Sequence, residues 1–246
     1  MEEKLSGIWA LIKNKRFAPG KGVTEPVPVQ GVRRFAFLLL THPWKLVTLN
    51  LLFLAFCLPV LTIPAAICGM NRALIELVRE GHCFLWSDFI GEFKAELFKS
   101  LPFGLLCAFL LFDSWYLFSI SVGGNGINML TLAMGFFFLG FGVLFCGYAF
   151  VLLAALPLRN RDILKNALIL MATEWKTNLT LLGSALAIAV IITALFPYAV
   201  ILLLLIWFAL SQLIVCTAVN VPLQKRIIAP YEEMCRQEAQ AGQHLF

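Results

Sequence analysis

Three charged side chains stand where the rest of the sequence avoids charge. Asp113 lies in the apolar stretch Leu111-Phe112-Asp113-Ser114-Trp115, and Arg72 and Glu76, next to Asn71, lie in the apolar segment 64–79. An ionisable group inside a membrane span is costly and is, by default, a candidate functional residue. Asp113 precedes Ser121 by eight residues and Arg72 follows Pro64 by eight, so each sits about 12 Å from one end of its helix. If both ends lie on the outer face, the two residues share a depth. The expectation is that Asp113 faces the bundle interior and pairs with Arg72. Glu76, one turn further along the same face, would join them. Such a group is either a structural ion pair locking two hairpins together or a polar site for a solute or proton.

Nothing else forms a catalytic or metal-binding pattern. Cys57, Cys68, Cys83, Cys107, Cys146, Cys216 and Cys235 are scattered without a Cys-x-x-Cys pair, and His42, His82 and His244 are far apart. The cysteines read as small buried hydrophobes. There is no phosphate-binding glycine loop and no Ser-His-Asp arrangement. No metal, no cofactor and no enzymatic activity is expected.

The elements that must hold these residues follow from composition. Of 246 residues, 61% are hydrophobic and 13% charged, against roughly 45–50% and 25% in soluble domains. That balance excludes an ordinary soluble protein, a disordered chain and a disulfide framework. It predicts an all-α polytopic membrane bundle. Segments 45–61, 101–121, 129–156, 178–195 and 198–221 read as apolar helices, with 64–79 a weaker one containing Asn71, Arg72 and Glu76. Pro59 and Pro64 bracket a turn or break. Residues 80–99 are polar and charged; there Asp88, Glu92 and Glu96 form one helical stripe and Phe89, Phe93 and Leu97 its neighbour, which reads as a cytosolic or interfacial amphipathic helix. Residues 1–30 read as an amphipathic segment and a Pro/Gly linker, 31–226 as the membrane domain, and 227–246 as a polar tail.

All nineteen Lys and Arg residues fall in four segments: up to Lys45, 72–99, 159–176 and after Gln224. Basic residues gather on the cytoplasmic side. The uncharged turns 123–128 and 196–197 are therefore expected outside and both termini inside. The net charge of +5 reflects basic boundaries meeting anionic lipid and implies no nucleic-acid partner. Keeping Lys45 and Lys94 on one side requires an even number of crossings between them. This predicts six helices as three hairpins; the alternative is five spans with 64–79 re-entrant or interfacial. Aromatic–Lys pairs at Trp44-Lys45, Phe93-Lys94 and Trp175-Lys176 precede each hairpin. The second and third hairpins exit through Pro157-Leu158-Arg159-Asn160-Arg161 and Pro222-Leu223-Gln224-Lys225-Arg226, as a parallel repeat would.

Gly135 and Gly142 share one face of their helix and Gly140 and Gly147 another, so both faces are candidates for close helix packing. Asn50, Asn178, Ser211, Gln212 and Asn220 are expected to bond across helices.

The stretch from Asn50 to Leu61, then Thr62-Ile63-Pro64-Ala65-Ala66, then Asp88-Phe89 and Phe93-Lys94, resembles the YesL-like family of bacterial membrane proteins of unknown function. Ile63 stands where that family usually has glycine. The resemblance covers about a third of the chain. It implies the bacterial cytoplasmic membrane and an accessory or regulatory role near carbohydrate uptake, with ABC transporter subunits as partners. It implies no catalytic residues. A small-solute transporter using the Asp113/Arg72 region is the alternative.

Overall fold

The computed structural model describes residues 31–81, 83–122, 128–196, 198, 203–230 and 233. The 1–30 segment and most of the 227–246 tail lie outside the described residues. Nine α-helices are present among those described: α1 (Gly31–Thr41), α2 (Pro43–Phe56), α3 (Ile63–Glu80), α4 (Leu85–Glu96), α5 (Leu101–Val122), α6 (Met129–Ala155), α7 (Asn160–Thr173), α8 (Trp175–Ala194) and α9 (Phe208–Leu223). A 3₁₀ turn at Val60–Thr62 joins α2 to α3, and π turns at Leu203–Trp207 and Gln224–Ile228 flank α9. There is no strand among the described residues.

Local chemistry sets the boundaries. Pro43 disfavours a helical conformation at His42, and α1 meets α2 at 86°. Gly81 ends α3 in the left-handed conformation, φ +80°, with its N–H on the Leu77 carbonyl at 3.0 Å. This is the usual role of glycine at a helix C-terminus. Asp88 accepts the Phe84 N–H at 2.7 Å and secures the entry to α4. Asn128 caps α6 by accepting the Leu130 N–H at 3.1 Å.

By length and composition, five stretches suffice to cross a membrane: Val60–Glu80, Leu101–Ser121, Met129–Ala155, Trp175–Ala194 and Leu205–Ile228. The bent α1–α2 pair is a sixth only if counted as one span. The chain is an all-α polytopic membrane bundle. The relative strengths expected of the first two segments are reversed. The 45–61 helix ends early, at Phe56, because Pro59 prevents its continuation, and its fourteen residues reach only about 21 Å. The 64–79 segment is the longer limb.

Cross-helix contacts fix the register. Ser114 Oγ donates to the Gly135 carbonyl at 3.0 Å, Gly142 lies against Leu110, and Phe103 stacks near Phe145 with centroids 6.4 Å apart. These contacts make α5 and α6 an antiparallel hairpin. Tyr148 OH donates to Asn178 Oδ1 at 2.9 Å, tying α6 to the start of α8. Against this pair α3 is displaced lengthwise. The Pro64 ring rests on Gly104, in the first turn of α5, and Arg72 Nη1 reaches the Ala154 carbonyl, in the last turn of α6, at 3.3 Å. Most of α3 therefore extends beyond the start of α5. There α1, α2, α4 and α9 pack around it, and α3 and α7 bury the end of α6 almost continuously from Tyr148 to Ala155. At this end Trp44, Trp86, Phe98 and Trp175 are exposed, as aromatic residues at a membrane boundary are.

Segments 31–41 and 160–173, outside the apolar runs, are helices as well. One further expectation is corrected: the two hairpin exits differ. Leu156 is extended ahead of Pro157 and ends α6, whereas Pro222 lies inside α9, which continues as a π turn.

The closest approach between α3 and α4 is at Gly69, where a Cβ would lie 2.7 Å from the Phe89 carbonyl oxygen. A Gly69→Val variant should lose about 1–3 kcal/mol through overpacking, seen as a lower melting temperature in detergent. Gly91→Ala, where the added Cβ meets nothing within 4 Å, should leave it unchanged.

Candidate functional site

The polar residues separate into a charged cap at one end and an apolar cavity among the long helices. In the cap, Arg72 Nη2 pairs with Glu76 Oε1 at 2.8 Å, one turn on along α3. Arg79 Nε donates to Asn220 Oδ1 of α9 at 2.9 Å. Arg34 of α1 donates to the carbonyls of Val78 and Leu77 at 2.9 and 3.3 Å, placing a cation at the negative end of the α3 dipole. Glu96 pairs with Lys99 at 2.9 Å, and Arg226 pairs with Glu174. Phe56, Phe89 and Phe93 form an aromatic cluster between α2 and α4. Nearby, burial pushes the Glu92 carboxyl up to about 7; Arg72 and Lys99 oppose this, and Glu96 and Glu76 add to it. The acidic stripe of α4 is thus not a solvated face: Glu96 is 6% exposed.

Asn71 is fully buried. Its Oδ1 accepts the Cys216 thiol at 3.4 Å, while its Nδ2 has no partner. Asn50, also fully buried, accepts the Ala209 N–H at 3.0 Å and so holds the start of α9 against α2.

The expected Asp113–Arg72 pair does not form. Ser114, adjacent to Asp113, is level with Gly135, while Arg72 is level with Ala154. Those two points are nineteen residues, roughly 28 Å, apart along α6. The shared-depth argument assumed that Pro64 begins α3 at the outer face; it sits instead beside the first turn of α5. Asp113 is half-buried and has no ion pair among the described residues. Glu76 does join Arg72. The glycines divide between two neighbours: Gly135 and Gly142 lie against Phe118 and Leu110 of α5, Gly140 and Gly147 against Leu182 and Leu181 of α8.

The cavity has a volume of about 770 Å³ and lies between α5, α6, α8 and α9, with Val60, Leu61 and Pro64 at its floor. No charged side chain lines it; the polar contributors are Ser184, Ser211, Gln212 and the indole of Trp207, besides the thiols of Cys107 and Cys146. Sequence reasoning missed it. The available signal was the small residues Gly104, Ala108, Ser184 and Ala185, which leave space between facing helices.

Two tests follow. Glu92 takes up its proton more readily in the folded state, with a pKa of about 7 against an ordinary 4.5. The associated stability is present below the lower value and lost as pH rises through the higher one. The melting temperature of wild type should therefore fall between pH 5 and 8 by a few degrees more than that of Glu92→Gln. In a double-mutant cycle, Asp113→Asn and Arg72→Gln should add to within about 0.5 kcal/mol, as distant sites do.

Residues 46–117 match the family described as "Protein of unknown function, DUF624". No curated protein and no solved structure matches the chain. The matched residues run from α2 into α5 and include Asn71, Arg72, Glu76 and Asp113.

Proposed function

We propose that the protein is an accessory or regulatory membrane component working beside a carbohydrate-uptake transporter, and neither an enzyme nor a carrier in its own right. The observation that carries this reading is the separation of polarity. Ion pairs and buried carboxylates collect in the cap, while the space among the long helices is apolar. A carrier for sugars needs hydrogen-bonding groups near the middle of the membrane, and Arg72 is too far from Asp113 to build that site with it. The matched family is compatible with the YesL-like resemblance, which supplies the link to carbohydrate uptake.

The membrane is read as the bacterial cytoplasmic membrane, with the cap and both termini on the cytoplasmic side, because the basic residues gather at that end. On this reading α2 and α3 enter and leave from the cytoplasmic side as a pair, and the cap is the surface offered to the cytoplasmic loops of ABC transporter subunits.

Affinity capture of the tagged full chain from its native membranes in mild detergent should co-purify transporter membrane subunits. Liposomes containing the chain alone should show no saturable uptake across a panel of labelled mono- and oligosaccharides. Capture without transporter subunits, or saturable uptake by the chain alone, overturns the proposal.

A further inference from the structure

The cavity lies within the apolar stretches of the bundle, and its wall has a specific chemistry. Its volume of about 770 Å³ falls in the range of small-ligand sites. With no charged lining side chain, it offers nothing to an ion, a nucleotide or a phospholipid headgroup. An apolar cavity of this kind does not hold water well. The molecules available at this depth are lipids, and access to them is open. α5 and α9 flank the cavity without a packed seam between them among the described residues. Leu105 and Leu111 of α5 line the cavity and are 67% and 43% exposed. The cavity surface is therefore continuous with the lipid-facing surface.

The polar groups in the wall narrow the ligand further. The Ser184 and Ser211 hydroxyls donate within their own helices, to the Leu181 and Trp207 carbonyls at 2.9 and 2.8 Å. Their oxygens remain available as acceptors. Gln212 lines the cavity, and its buried Oε1 has no donor. What Gln212 Oε1 lacks is a hydrogen-bond donor, which a ligand hydroxyl supplies after a small rotation of the amide; an ester or a bare hydrocarbon does not.

From this we infer that the cavity binds a bilayer lipid with a long apolar chain and an uncharged hydroxyl, of the long-chain alcohol or acylglycerol class. The chain fills the space between α5 and α8 above Pro64, and the hydroxyl donates to Gln212. The inference rests on the cavity alone and is independent of any transporter partner.

The test uses the full chain in phosphatidylcholine vesicles and a hexadecanol probe carrying a photoreactive diazirine, with the diazirine analogue of hexadecane for comparison. Labelling by the alcohol should be saturable, should be displaced by unlabelled hexadecanol, and should map to 101–111 and 205–215. Ala108→Phe and Ala185→Phe fill the cavity from opposite walls. Either variant, with an unchanged melting temperature, should reduce saturable labelling at least tenfold. Gln212→Leu should still be labelled by both probes but should lose the severalfold preference for the alcohol. Non-saturable labelling spread over the exposed face of α8 overturns the site. So does undiminished labelling in a folded cavity-filled variant. Crosslinks from cavity residues to 1–30 or to a second copy also overturn it, because the occupant is then protein. An unchanged preference in Gln212→Leu overturns the hydroxyl assignment.

Discussion

The contact of the Pro64 ring with Gly104 sets the depth of α3, and the rest of the structure depends on that depth. Only a residue without a side chain lets the ring approach the α5 backbone so closely. With Pro64 level with the first turn of α5, the charged second half of α3 is carried past the long apolar helices. Arg72, Glu76 and Arg79 then meet carbonyls, carboxylates and amides instead of hydrocarbon. Burying such charges in lipid would cost several kcal/mol. Shifting the helix lengthwise removes most of that cost, and α1, α2 and α4 cover the apolar surface that projects as a result.

α6 and α9 join the two halves of the molecule. One half of α6 packs by its glycines against α5 and α8, and the other half is the centre of the cap. α9 is secured at successive heights by Asn50, Asn71 and Asn220, each bonded across to or from another helix. Such bonds between membrane helices contribute about 0.6 kcal/mol apiece, so they fix rotation and register more than they add stability. By contrast α8 is only 6% buried along its apolar window, and much of its environment is lipid.

Much of the architecture was legible in the sequence. Apolar runs between charged boundaries located α5, α6 and α8 to within a few residues, and the heptad spacing of Gly135 and Gly142 and of Gly140 and Gly147 identified two distinct packing faces. Depth was not legible. The pattern shows that Arg72 lies eight residues from a proline, but not where that proline sits in the bilayer, which a contact forty residues away decides. Segment 64–79 looked weak because of its charges, although the cap makes those charges acceptable. Glu92 and Glu96 looked solvated because periodicity reports a helix face and not what covers it. The cavity was invisible for a related reason: small residues mark close packing at Gly142 and vacant volume at Ala108 alike, and only the position of the neighbouring helix distinguishes them.

The π turn at Gln224–Ile228 has a consequence for the direction of the helix end. Each residue of an α-helix advances the azimuth by about 100°, and a π turn takes up one more residue before returning to the same face. Ala229 and Pro230, which follow it, are rotated out of phase with the helix before it. Lys225 and Arg226 lie in this turn, and Arg226 meets Glu174 just ahead of α8. The π turn thus acts as a phase shifter: it leaves α9 continuous but redirects its end, so that the last span closes onto the start of α8.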